Sequence, residues 1–179
     1  MAEAVSTSLS NARRMAKRLL KKGDEALTRK DKIAAFLKQD DAIDFFYRSS
    51  IYFKQCSRWR DAGDALLRCG GIYKSNKMLS EAAAVYTDAA EALIKVDKTE
   101  ALNTYSIIIA LYCEIGRFDL AGKIEKKIAL IHHLNKHYEE ASFHYRKAGS
   151  LLVGENLLDQ SDLCFESSAL CLVEIGKVR

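Results

Sequence analysis

Proline is absent from these 179 residues, where about 5% would be usual. A proline inside a helix removes a hydrogen bond and clashes with the preceding turn, so its absence suits an all-helical chain and argues against a Pro-rich linker. No apolar run approaches the roughly 20 residues that a helix needs to cross a bilayer. The opening MAEAVSTSLS has neither an apolar signal core nor a myristoylation glycine. The five cysteines (Cys56, Cys69, Cys113, Cys164, Cys171) form no CxxC pair and are odd in number, as expected of reduced thiols in a cytosolic protein. There is no glycine-rich phosphate loop and no Ser-His-Asp arrangement, so no catalytic function and no cofactor is expected. Apolar content of 49% and charged content of 29% are ordinary for a globular protein. The net charge of +4 is modest and no zinc-finger or RRM pattern occurs, so nucleic acid is not the expected partner.

What the chain does contain is a repeat. Seven segments begin near Asp40, Arg60, Ser80, Thr99, Asp119, Glu139 and Asp159, about twenty residues apart. Two positions after each start stands a small residue: Ala42, Ala62, Ala82, Ala101, Ala121, Ala141, Ser161. Six positions after stands an apolar, mostly aromatic one: Phe46, Leu66, Tyr86, Tyr105, Tyr145, Phe165, with Glu125 breaking the column. Nine positions after, the residue is small or aliphatic: Ser49, Cys69, Ala89, Ile108, Ile128, Ala148, Ser168. The first two columns lie four apart and therefore share one helix face, the small residue admitting a neighbouring helix and the aromatic filling the gap one turn on. The predicted fold is all-α, a right-handed superhelical solenoid of antiparallel helix hairpins of the tetratricopeptide type. A protein of this kind works through a surface rather than a pocket.

Helices are predicted over about 7–27, 41–54, 59–74, 79–94, 98–115, 118–134, 138–152 and 157–175, with an N-terminal segment 1–39 preceding a hairpin solenoid over 40–179. Five of the seven repeat starts are Asp, Ser or Thr, which suggests N-caps. Gly116, Gly154 and Gly176 stand where left-handed C-caps are wanted, Gly23 is expected to mark a bend or an early end, and the mid-helix pair Gly70–Gly71 suggests close helix packing. His132, His133, His137 and His144 cluster, but a helix boundary separates His133 from His137, so solvated side chains are expected rather than a metal site. Cys164 and Cys171, two turns apart, read as core thiols. Carboxylates such as Asp40–Asp41 and Glu139–Glu140 suit helix N-termini.

Positive charge concentrates at the front: residues 1–40 carry ten Lys/Arg against five Asp/Glu, which points to an acidic partner or an anionic membrane at that end. Within it, Ile33, Phe36 and Leu37 are flanked by Lys30, Lys32 and Lys38. An apolar tip of this kind can enter a bilayer interface while lysines meet lipid phosphates; three such side chains offer about 4–6 kcal/mol before ordering costs. The alternative is that they cover the first hairpin.

The stretch RWRDAGDALLRCGGIY and the run from SEAAAVYTDAAEALIKVDKTEALNTY through EIGRFDLAGKIEKKIALI resemble the soluble NSF-attachment proteins, with the alpha-type branch most similar. A tryptophan precedes a D-A-G-D-A helix, K-V-D is followed by E-A, E-I-G-R-F occupies 114–118, E-E-A-x-x-x-Y occupies 139–145, and AIDFFYRSSIYFK (42–54) takes the place of the family's first repeat. The likeness runs from about residue 11 to 179. It implies an adaptor, not an enzyme: several copies wrap a SNARE four-helix bundle and recruit the NSF ATPase that pulls it apart, on the cytoplasmic side and peripherally at membranes.

Carried over residue by residue, the resemblance implies SNARE-facing cations at Lys95, Arg117 and Lys123. Arg58 stands one place beyond the position of a family lysine, which falls at Ser57. Leu163 and Ser167 stand where the family has lysines, and Ile33, Phe36 and Leu37 where it has a membrane-touching loop. The family continues into a C-terminal bundle that contacts and stimulates NSF; this chain, ending at Arg179, is expected to bind SNAREs or membrane without that stimulation. The alternative reading is a tetratricopeptide-like scaffold with some other partner.

Overall fold

The computed structural model describes the backbone of residues 2–28 and 35–178, and the side chains of residues 6–28 and 38–176. The described residues form eight helices and no strand: α1 (Ala2–Thr28), α2 (Ala35–Gln55), α3 (Trp59–Ser75), α4 (Leu79–Leu93), α5 (Lys98–Glu114), α6 (Phe118–Leu134), α7 (Tyr138–Gly154) and α8 (Leu158–Val178). The chain is all-α and built of successive antiparallel helix hairpins, as the period implies. From α3 onward each helix begins within one residue of its expected start. The first two helices start earlier than expected: α1 at Ala2 instead of about residue 7, and α2 at Ala35 instead of about residue 41, so that α2 takes in part of the segment that lies outside the repeat. Two compact units result, Met1–Thr104 and Tyr105–Arg179, divided within α5. In the first, α1 packs on α2, α2 on α3 and α3 on α4; in the second, α6 packs on α7 and α7 on α8.

The repeat is closed by one backbone device. Five connections are three residues long, and the middle residue of each is left-handed: Ser57 (φ 54°), Lys77 (59°), Gly116 (71°), Lys136 (62°) and Asn156 (59°). The next residue donates its N–H five residues back: Arg58 to Phe53 at 2.9 Å, Met78 to Tyr73 at 3.0 Å, Arg117 to Tyr112 at 2.8 Å, His137 to His132 at 3.0 Å and Leu157 to Leu152 at 3.0 Å. This is the Schellman closure, which satisfies carbonyls a helix end would leave orphaned. The same residue opens the following helix, its carbonyl accepting the N–H of the small-column residue: Arg58 from Ala62 at 3.0 Å, Arg117 from Ala121 at 3.1 Å, Leu157 from Ser161 at 3.0 Å.

That economy corrects two expectations. The Asp, Ser and Thr at the repeat starts are not caps; from α3 onward each starting position lies one residue inside its helix. The cap positions Arg58, Met78, Arg117 and His137 make no side-chain cap bond. Acidic residues in the first turn instead answer the helix dipole. The four-residue connection 94–97 is different: it has no left-handed residue, and there Asp97 does cap α5, its Oδ1 accepting the Glu100 N–H at 3.0 Å. Of the three glycines expected at C-caps only Gly116 is left-handed; Gly154 closes α7 while Asn156 takes the turn, and Gly176 lies inside α8.

The small column is fully buried, with Ala42, Ala62, Ala82, Ala101, Ala121, Ala141 and Ser161 all at 0% exposure. The third column is buried throughout, and in the second Phe46, Leu66, Tyr86, Tyr105 and Tyr145 are buried while Phe165 is 39% exposed. Large side chains are seated on glycines of the preceding helices. A Cβ at Gly23, Gly63, Gly70 or Gly149 would stand 2.5–2.8 Å from Phe46, Leu93, Tyr86 and Phe165 respectively. Gly23 is therefore a seat for Phe46 within α1 and not that helix's end. Buried hydroxyls bond across helices, Ser49 Oγ to the Ala16 carbonyl at 2.9 Å and Ser161 Oγ to the Gly149 carbonyl at 3.1 Å, so no polar group in the column is left unpaired at a cost of 1–3 kcal/mol.

The left-handed turns give a test with opposite signs. Nothing lies within 4 Å of a Cβ at Gly116, so Gly116→Ala probes the backbone alone and should lose about 1 kcal/mol, while Lys77→Gly should gain about 0.5 kcal/mol. Urea unfolding of the two variants measures both; changes of the same sign would remove the turn from the account.

Candidate functional site

The four cations expected to meet an acidic partner fall in different units and are held differently. In the first unit Lys95 is exposed in the 94–97 connection, its Nζ 3.3 Å from the centroid of the Trp59 ring. This is a cation–π contact that steers the ammonium without burying it. Arg58 is more occupied. Its guanidinium pairs with Asp61 of its own first turn, lies over Phe53 at 5.8 Å, and has one buried nitrogen without a partner among the described residues. Arg60 bridges elements, pairing with Asp97 at 2.5 Å and also with Glu100. Asp97 is held below the usual carboxylate range by the Glu100 N–H first and Arg60 second.

In the second unit Arg117 and Lys123 come together around one carboxylate. Arg117 Nε lies 3.1 Å from Asp119 Oδ1 and Lys123 Nζ 3.7 Å from Asp119 Oδ2. The Arg117 hydrogen bond holds Asp119 below its ordinary pKa, and both cations stay half-exposed. Two positive charges on one negative leave the cluster net positive, with its geometry set before any partner arrives. At the two departures from the family pattern, Leu163 is 54% exposed and Ser167 turns its hydroxyl back to the Leu163 carbonyl at 2.7 Å.

Of the residues expected at a membrane, Lys30, Lys32 and Ile33 lie outside the described residues, and Phe36 and Leu37 fall in the first turn of α2 with side chains outside them. Lys38 is described and is buried at 9% exposure. It is not the exposed flanking lysine expected, because α2 starts early and carries it into the packed face.

What reasoning from the sequence did not assemble is a polar cluster built on the residue that breaks the aromatic column. Glu125, on α6, is buried at 4% exposure. Its Oε2 lies 2.6 Å from His144 Nδ1 and its Oε1 3.9 Å from Lys147 Nζ, both on α7. Lys147 sits over the Phe143 ring at 4.6 Å. His144 stacks on His132 with centroids 5.5 Å apart and planes 6° from parallel, and His132 lies 6.0 Å from His137. Glu125 forms part of the wall of an open cleft of about 550 Å³, together with residues of α5 and α7.

The histidines are thus not simply solvated: His132, His133 and His144 are half-buried, and His133 Nδ1 lies 3.3 Å from Cys171 Sγ. Cys171 and Cys164 are fully buried, and burial pushes both thiols up, as it pushes Cys69 up to about 12. These thiols are packing groups, not nucleophiles. The signal available in the sequence was Glu125 itself, a carboxylate in a column that is otherwise apolar.

Burial, and after it the neighbouring His144, holds His132 below the ordinary histidine pKa of 6.5. A depressed histidine favours the folded state fully above that value and loses the contribution as pH falls through 6.5 toward the lower folded-state pKa. Urea midpoints at about pH 7.5 and 5.5 should therefore differ more in the parent than in His132→Gln; an equal drop in both would show that this ring carries no linkage.

The sequence pattern of one family, described as soluble NSF attachment protein, SNAP, matches residues 14–177. An alpha-soluble NSF attachment protein of Vitis vinifera is 29% identical over 127 residues, covering 71% of this chain and 44% of that protein. The alpha-soluble NSF attachment protein of Homo sapiens is 28% identical over 128 residues, covering 71% and 43%. A soluble NSF attachment protein homolog of Fowlpox virus (strain NVSL) is 30% identical over 127 residues, covering 70% and 46%. The chain spans less than half the length of these curated relatives.

Proposed function

Because the chain belongs to the soluble NSF attachment protein family, we propose that it serves as an adaptor of intracellular vesicle fusion, without catalytic chemistry of its own, by binding the assembled SNARE complexes on which the NSF ATPase acts. The observation that carries the reading is the family match over residues 14–177. Support comes from how the expected cations are held. Lys95 is exposed and braced by Trp59, and Arg117 and Lys123 are set by a shared Asp119 while still reaching solvent. Cations arranged in this way steer and orient an acidic four-helix bundle more than they add affinity, and their effect fades with salt. Arg58, engaged with Asp61, is the weakest of the four. Exposed Leu163 and self-bonded Ser167 reduce the charge offered by α8, so the footprint on the bundle rests on the other helices.

A second contact, with anionic membrane, is proposed for Ile33, Phe36 and Leu37 with Lys30 and Lys32, which places the protein in the cytoplasm and peripherally on membranes. Among the described residues no helix is long and apolar enough to cross a bilayer. Each anchor is weak, and several copies on one bundle would add their contacts.

Charge reversal at Lys95 and Lys123 is expected to weaken capture of a preassembled SNARE complex roughly tenfold at about 50 mM salt and much less at about 300 mM. Unchanged capture would favour a helical-repeat scaffold with another partner. Flotation on phosphatidylserine vesicles should be lost when Ile33, Phe36 and Leu37 are changed together to Ser; flotation equal to the parent's would exclude the anchor.

A further inference from the structure

We propose that the cleft of the second unit is a docking site for an amphipathic, acidic helical segment of a protein partner. This site is separate from the cations assigned to the SNARE contact. The cleft holds about 550 Å³, within the range of binding clefts. Its apolar wall comes from Ile109 and Cys113 of α5 and from Phe143 and Leu151 of α7, and its polar edge from Arg146 and Lys147 of α7.

The charge balance selects the ligand. The buried Glu125 is already matched by His144 at 2.6 Å and approached by Lys147 at 3.9 Å. Arg146 has no such partner among the described residues and is exposed. The uncompensated charge at the edge is therefore positive, and a guanidinium offers a carboxylate two parallel hydrogen bonds. Beside it Phe143 is 46% exposed and carries Lys147 over its ring. Exposed aromatic residues and arginine are both enriched at protein interfaces.

An occupant with aliphatic side chains on one face and Glu or Asp along its flank meets both demands. An open groove along a helix suits a helix laid into it better than an enclosed small molecule. Lys123 does not line the cleft. Glu125 points from α6 toward α7, and a residue two positions earlier emerges about 200° around the helix.

The test uses two fluorescein-labelled helical peptides of about 18 residues, one with a leucine face flanked by glutamates and one with every glutamate replaced by lysine. Anisotropy against the intact chain should show binding of the acidic peptide only. Arg146→Glu should weaken it about tenfold and Phe143→Ala several-fold, while Lys74→Glu, an equal charge change in the first unit, should leave it within about twofold. Arg146 and Phe143 are exposed, so both variants keep the fold, with circular dichroism as the check. Equal binding of both peptides, no binding of the acidic one, or indifference to Arg146→Glu would overturn the proposal. So would binding of decanoic acid without peptide binding, which would make the cleft a small-molecule pocket. Loss of SNARE capture on reversal at Lys95 and Lys123, together with unchanged peptide binding in Arg146→Glu, would sink this site and leave the adaptor reading standing.

Discussion

Two helices approach each other most closely where the side chains between them are small, and this chain supplies such a residue about once in every twenty. Ala42, Ala62, Ala82, Ala101, Ala121, Ala141 and Ser161 are wholly out of solvent, and each lies one turn before a large residue or, at position 121, before Glu125. The glycines at 23, 63, 70 and 149 extend the same principle, since a methyl there would intrude on a ring or branched side chain at 2.5–2.8 Å. Packing at native density leaves no slack for such an intrusion. Burial of the large partners, at about 25 cal/mol per Å² of apolar surface, depends on this close approach. The rest of each hairpin follows from it.

The connections keep the repeat in step. A three-residue turn with one left-handed residue reverses the chain in the shortest span and brings the next small residue back to the interface. The cost of placing Ser57, Lys77 and Lys136 in that region, about 1–2 kcal/mol for a residue with a Cβ, is offset by the carbonyls that the turn satisfies. Residue type matches backbone demand at Gly116, and less fully at Asn156. The 94–97 connection reaches the same end by another route, with Asp97 as a true cap braced by Arg60.

Against this regular background the irregular positions carry the functional interest. Arg117 and Lys123 share Asp119 at the opening turn of α6, so two cations are positioned by one carboxylate. Glu125, in a column of apolar residues, recruits His144 and Lys147 from α7 because a buried carboxylate without partners would be prohibitively costly. That pairing leaves Arg146 as the charge free to act on the adjoining cleft. The second unit thus presents two distinct cationic features, one at the opening turn of α6 and one on α7.

Periodicity, small-residue spacing and the missing prolines were enough to set the class of fold and the starts of α3 to α8, because those depend on local sequence and on contacts between neighbouring helices. The order of its motifs was likewise enough to point to the family. The early start of α2, the burial of Lys38 and the caps were not legible, since Arg58, Met78 and His137 take cap positions for reasons of turn geometry and not of side-chain chemistry. The histidine stack and the cleft were hidden more deeply. His132, His144 and Glu125 stand on two helices, and which of their faces meet is decided only when α6 closes on α7. Spacing along a chain determines what each helix can offer; the packing of one helix on the next determines which offers are taken up, because only burial turns an unmatched charge into a constraint.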